Sequence, residues 1–323
     1  MDGVDARPKR PGRWASTRAF RREARLARGY SWLDWLHGYA YGRWPYVYIS
    51  IGTGTHPLSR WLAPFVAWLG RLLPSRRPAS AEQVTFADSY HGKVVPLEHA
   101  RQLVSVKEDV TLHNLEQIIP FAAARDIVLR NPGHIVALDC PCRAARANPC
   151  LPLDVCLVIG EPFASFVLAH HPRRSRWVTQ EEAAAILQAE DERGHVHHAF
   201  FKDAMLGRFY AICNCCACCC GAIQAWRRGT PMLASSGYIC QVDATLCQDC
   251  GQCEDACQFG ALSRNDGTLR VDTCLCMGCG VCTSVCPESA LSLRLDPGKG
   301  TPLVIRELVR NAGIGVTPQR LGE

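Results

Sequence analysis

The sequence predicts an α/β (α+β) body, preceded by an amphipathic N-terminal arm and followed by a cysteine-rich C-terminal repeat. Three observations carry this prediction. Helical and strand-like segments alternate between residues 83 and 237, six of the eight tryptophans fall before residue 82, and two cysteine motifs recur after residue 238. The chain therefore divides into residues 1–82, a basic, aromatic-rich arm; 83–237, the α/β domain; 238–295, the repeat; and 296–323, a tail. A length of 323 residues accommodates such a division.

The arm holds the charge. Residues 1–30 contain nine Lys and Arg against Asp2, Asp5 and Glu23, which equals the net charge of +6 of the whole chain. The remainder is balanced, so the basic character belongs to an appendage, and a nucleic-acid partner is not expected. Leu58, Trp61, Leu62, Phe65, Trp68, Leu69, Leu72 and Leu73 recur at helical spacing with Arg60 and Arg71 between them. Such a stripe suits an interfacial contact with a membrane surface or a membrane-bound partner; packing on the body is the alternative. Pro74 to Ser80 reads as a linker. No secretory signal and no apolar run of about 18 residues is present, which points to a cytoplasmic protein, peripheral at most on the inner face of the membrane.

In the middle domain, Leu97–Val104 and Leu115–Arg130 are expected as helices, and His134–Asp139, Val155–Ile159 and Phe163–Leu168 as strands. Thr179 and Glu182 form a capping box that opens a helix running to about Glu192. His195–Phe201 and Arg208–Cys213 return to strand character.

Twenty cysteines dominate the composition, and sixteen of them lie in tight groups. Such crowding suits metal ligation by reduced thiols rather than a disulfide framework. Residues 242–263 (VDATLCQDCGQCEDACQFGALS) and 271–292 (VDTCLCMGCGVCTSVCPESALS) are identical at eleven of twenty-two positions, an internal duplication. Cys247, Cys250, Cys253 and Cys257 give C-x2-C-x2-C-x3-C, and Cys276, Cys279, Cys282 and Cys286 repeat it, followed by Pro287. Two intervening residues let the backbone wrap one corner of a cubane, and Gly251 and Gly280 suit the tight wrap.

On these motifs, residues 238–295 resemble the bacterial two-cluster 2[4Fe-4S] ferredoxin family. The resemblance implies two [4Fe-4S] clusters and a fourth ligand exchanged between motifs. Cys247, Cys250, Cys253 and Cys286 would hold the first cluster, and Cys276, Cys279, Cys282 and Cys257 the second. Gln258 departs from the family, standing where a proline is usual; its expected effect is on local packing or sulfur hydrogen bonding rather than on ligation. Zinc is the competing reading of C-x2-C pairs.

A second cysteine field comprises Cys140, Cys142, Cys150 and Cys156 together with Cys213, Cys215, Cys216, Cys218, Cys219 and Cys220. If the strands preceding Cys140 and Cys213 are neighbours, both groups meet at one end of a sheet. Alternation along extended chain would pair Cys140 with Cys142 and Cys213 with Cys215. A subset is expected to hold at least one additional Fe-S cluster, with zinc or a redox-active dithiol as alternatives. Cys219-Cys220-Gly221 also resembles the Cys-Cys-Gly element of heterodisulfide-reductase-like subunits, although the downstream pair that element needs falls on Cys250 and Cys253. Cys240 reads as an isolated buried hydrophobe, and Cys274 has no assigned role. The strand histidines His195, His197 and His198 read as structural.

No nucleotide or flavin signature is present. The expected function is an iron-sulfur electron-transfer protein that exchanges electrons with a redox protein partner. A redox enzyme subunit with its active site at Cys140–Cys156 and Cys213–Cys220, or a cluster-carrying accessory factor, are the alternatives. Catalytic residues are not legible.

Overall fold

A computed structural model describes residues 9–27, 29–57, 90–121, 125–265 and 267–312. The amphipathic stripe at 58–73, the linker after it and the end of the tail lie outside the described residues.

Its centre is an eight-stranded sheet. In chain order the strands are β1 (Tyr90–Val95), β2 (Val110–Leu112), β3 (Ile127–Leu138), β4 (Cys156–Glu161), β5 (Ser175–Val178), β6 (Val196–Lys202), β7 (Arg208–Cys215) and β8 (Leu233–Ala234). They run in the spatial order β2-β3-β4-β7-β6-β1-β8, with β5 also on β3. All these pairings are antiparallel except β1 with β8. Mixed helices and strands appear as expected, on an antiparallel rather than a parallel frame.

Helices cover both faces. The first three are α1 (Arg13–Leu26), α2 (Trp32–Arg43) and α3 (Pro45–Gly52), followed by α4 (Leu97–Val104), α5 (Pro141–Ala144), α6 (Phe163–His170), α7 (Gln180–Glu192) and α8 (Gly221–Arg227). Alternation along the strands sends Ile135, Leu157, Phe201 and Ile212 to one face, under Leu103 of α4 and Leu187 of α7. Val136, Val158, Phe200 and Ala211 go to the other, under Phe20 of α1, Phe166 of α6 and Ile223 of α8, and Tyr210 joins them as the extra residue of a bulge in β7.

Three expectations are corrected. Phe163–Leu168 is helical: α6 is buried almost all round between the sheet and α1, and a short apolar run of this kind has no period that separates helix from strand. Among the described residues of 115–130 there is no helix, because a turn at 116–119 ends at Pro120 and Ile127–Leu129 pair with β2. The described residues of the arm are not an appendage. Phe20 is fully buried and packs edge-on against Phe163 and Phe166 at 5.8 and 5.4 Å. Glu23 pairs with Arg130 and Arg208 at 3.0 and 3.2 Å, and the hydroxyls of Tyr41 and Tyr210 are 2.7 Å apart.

The cysteine repeat folds beside this body on two small ladders. One pairs β9 (Tyr238–Val242) with β12 (Leu291–Leu295), the other β10 (Leu262–Asn265) with β11 (Thr268–Val271). Helices α9 (Gln252–Ala256) and α10 (Val281–Ser284) lie between them, and α11 (Ile305–Asn311) returns to the body.

Candidate metal centres

The duplicated motifs fold alike. Gly251 and Gly280 take left-handed backbone, φ +84° and +90°, immediately before α9 and α10, so each chain turns sharply between its second and third cysteines. The thiols then converge on two small cavities. Cys247, Cys250, Cys253 and Cys286 line the first; Cys257, Cys276, Cys279 and Cys282 line the second. Each quartet draws three thiols from one motif and one from the other.

Backbone amides face the sulfurs at equivalent places in the duplication. The Ala261 and Ala290 amides donate to Cys257 Sγ and Cys286 Sγ, each at 3.3 Å, and the Cys240 amide donates to Cys276 Sγ at 3.4 Å. Cys240 is buried, as expected, but it is not isolated. It lines the second cavity, and a hydrogen bond with its thiol leads the influences that push the Cys282 thiol far up. Burial raises Cys253 to about 11 and also raises Cys276 and Cys279. Buried thiols gathered in fours, with amides aimed at sulfur, need a soft cation to become thiolates.

Residues 240–263 match the 4Fe-4S binding domain.

The chain is an iron-sulfur protein with at least one [4Fe-4S] cluster, and the quartets supply the four-thiolate donor set that such a cluster takes. A search of curated protein sequences found no match.

The second cysteine field lies beside the 4Fe-4S binding domain, at one end of the large sheet. The strands before Cys140 and Cys213 are not direct neighbours: β4 lies between β3 and β7, antiparallel to both, and opens on Cys156. The end of β3, the start of β4 and the end of β7 therefore share one edge. The thiol of Cys140 interacts with those of Cys142 and Cys156, Cys156 with Cys213, and Cys215 with Cys220. Cys142 reaches Cys140 through the single turn of α5, not by extended alternation. These interactions split the thiols by role. Those from Cys142 and Cys156 hold Cys140 well below the ordinary thiol range, that from Cys215 lowers Cys220, and the donors Cys142, Cys156 and Cys215 are pushed up.

The other four thiols of the field form a separate group. Sγ of Cys218 lies 3.2 Å from Cys150, 3.2 Å from Cys216 and 3.6 Å from Cys219, and Cys216 lies 3.7 Å from Cys150. The ten thiols thus divide into six and four.

The six face a cavity of about 360 Å³, and Cys216 and Cys219 of the smaller group reach the same wall. Its remaining wall includes Tyr41, Tyr48, Tyr210 and Lys202. Lys202 is fully buried, with Nζ 4.9 and 5.5 Å from the ring centroids of Tyr41 and Tyr48, and burial lowers it to about 8.

Side chains that motif reading missed hold these groups in place. Arg143 is 1% exposed. It pairs with the buried Glu190, donates to the carbonyls of Pro152 and Asn214 at 2.6 and 3.1 Å, and so fixes the turn that carries Cys140 and Cys142. Arg146 donates to the Cys219 carbonyl at 3.2 Å and to Gln224 at 2.7 Å, while Gln224 donates to the Cys218 carbonyl at 2.9 Å. Gln258 of the 4Fe-4S binding domain accepts from the Ala217 amide at 2.7 Å and donates to the Gly194 carbonyl at 2.8 Å. Its departure from proline was the one available signal. Lys202 offered none, being a lysine at the end of an apolar strand. Among the other expected residues, Cys274 is exposed and outside both cavities, and His198 is fully buried with its ring 6.5 Å from Phe259.

Proposed function

We propose that the chain is an electron-transfer protein. Two [4Fe-4S] clusters with exchanged fourth ligands pass single electrons to or from the body. The observation that carries this reading is the division of the eight motif cysteines into two quartets, each mixing both motifs. A bound [4Fe-4S] cluster supplies reversible one-electron transfer. The protein's own residues hold the thiolates, direct amides at their sulfurs and exclude water behind Leu262, Leu269 and Leu291.

The second quartet faces the body. Phe259 lines its cavity, and the same ring packs against Trp226 at 5.3 Å and joins the body's core. Electrons leaving that quartet would enter the edge of the sheet where the six thiols gather. Reductive titration of anaerobically purified protein, followed by electron paramagnetic resonance, tests the function. Two one-electron steps and about eight irons with eight sulfides per chain are expected; a single step with half that iron would overturn the two-cluster reading.

A redox enzyme subunit is the second reading, favoured by the cavity of about 360 Å³. A buried ammonium opposite a thiol wall suits a small ligand bearing a carboxylate or oxyanion. Thermal-shift screening against small carboxylates and oxyanions tests it; no stabilisation by any of them would remove it.

The partner surface is proposed on the first helices. Trp14, Trp32, Leu33, Trp44 and Val47 are exposed among the arginines of this segment, a composition suited to an anionic membrane surface. Among the described residues no helix is long and apolar enough to cross a membrane.

A further inference from the structure

The separations within the smaller thiol group carry information that the motif spacing does not. All four Sγ atoms of Cys150, Cys216, Cys218 and Cys219 lie within 4.8 Å of one another. Four thiolates about 2.3 Å from one ion stand on a tetrahedron with edges of about 3.8 Å. A cubane instead sets its thiolates on four separate irons, and so spreads them well beyond that edge. The observed separations of 3.2, 3.2, 3.6 and 3.7 Å are those of a single-ion site.

The loop is built to keep this size. Cys216, Cys218 and Cys219 come from one tight turn closed by the Cys220 amide on the Cys216 carbonyl at 2.9 Å, and the Cys219 amide faces the Cys216 sulfur. Arg146 and Gln224 hold the outward carbonyls of Cys219 and Cys218, and Gln258 takes the Ala217 amide. Those polar groups are satisfied without help from the thiols. The sulfurs are left pointing at one another, with Cys216 and Cys219 buried, Cys150 half-buried and Cys218 exposed.

We propose that Cys150, Cys216, Cys218 and Cys219 bind one tetrahedral zinc ion, distinct from the clusters of the 4Fe-4S binding domain and set in the wall of the cavity that Cys216 and Cys219 line. Tetrahedral coordination by four sulfurs admits zinc or a single iron. The exposure of Cys218 favours zinc, which has no redox chemistry for solvent or oxygen to exploit. The ion's role is structural: it joins the loop after α5 to the turn after β7 and so closes one side of the cavity. For this group the proposal replaces the additional Fe-S cluster expected from composition.

Metal analysis of the anaerobically purified full chain tests it. One zinc per chain is expected in addition to the iron. Cys150→Ser should lose that zinc and keep the iron and sulfide content unchanged. Cys218→His should retain it, since zinc accepts three thiolates and an imidazole as readily as four thiolates and position 218 has room at the surface. Cobalt exchanged into this site should show the intense visible absorption of tetrahedral thiolate coordination, lost in Cys150→Ser. Iron in place of zinc, loss of iron and sulfide in Cys150→Ser, or a wild-type chain that binds neither zinc nor cobalt would overturn the proposal. A wild-type chain holding only four irons would overturn the two-cluster reading and leave the zinc site standing.

Discussion

Gln258 and Ala217 are joined by a hydrogen bond of 2.7 Å that ties the residue following Cys257 to the middle of the Cys216–Cys219 loop. The same side chain donates to the Gly194 carbonyl at 2.8 Å. A proline at 258 would have neither bond. Gln258→Ala should lower unfolding stability by about 1–3 kcal/mol, at about 0.5–1.5 kcal/mol for each lost bond. Iron content should stay unchanged, because glutamine is not a ligand. Denaturant unfolding under anaerobic conditions reads the first quantity and iron analysis the second; loss of iron would place Gln258 in the ligand environment instead.

Cys286 lines the cavity formed by Cys247, Cys250 and Cys253. Cys286→Ala should therefore damage the cluster of the first motif and spare that of Cys276, Cys279 and Cys282. Cluster-resolved paramagnetic resonance distinguishes the two, and damage confined to the second motif's cluster would show that ligands are not exchanged.

Arg143 and Glu190 form a buried pair beneath the turn carrying Cys140 and Cys142. Removing one partner strands the other charge, so Arg143→Ala should lower stability by about 3–5 kcal/mol. Arg143→Met with Glu190→Met should fall well short of the sum of the single changes. An additive double-mutant cycle would show that the two side chains act independently.

Lys202 gives the protein a pH dependence of definite sign. Burial lowers it from 10.5 to about 8, so above that pH the unfolded chain keeps a proton that the folded chain has released. Stability gained from Lys202 deprotonation therefore rises from about pH 8 to about pH 10.5, at no more than roughly 1.4 kcal/mol per pH unit. Lys93, also lowered to about 8 by burial, acts in the same direction. Lys202→Met should abolish only the Lys202 share, so the difference between the two proteins should change across this window and be flat below it. A difference that is constant from pH 7 to 10.5 would mean that Lys202 does not titrate there.

Vesicle binding tests the surface of the first helices. Trp14 and Trp32 are 82% and 61% exposed, so Trp14→Ser with Trp32→Ser should reduce cosedimentation with anionic vesicles without unfolding the chain. Deleting residues 1–82 would be a poor test, because Phe20 and Glu23 belong to the core. Unchanged cosedimentation, or none in the wild type, would remove the membrane reading.

Local signals were legible where one short segment decides the outcome. The Thr179 capping box, the helix after it and the left-handed glycines of the repeat all follow from neighbouring residues. Outcomes that depend on distant partners were not legible. α6 is a helix because α1 covers it, which no window around Phe163 reveals. A subset of the ten thiols of the second field was expected to bind metal, but nothing in the run Cys213–Cys220 shows which sulfurs gather around Cys150. The strand order that inserts β4 between β3 and β7 makes the division into six and four.

That strand order also sets a timetable. The six cavity thiols come from the ends of three strands separated by as many as 80 positions, so they stand together only after the sheet has closed, and a newly made chain carries them apart. The first three thiols of each repeated motif, by contrast, lie within seven consecutive residues. Metal delivery can begin on the repeat while the sheet is still forming, but the inner chamber can be furnished only from a finished body.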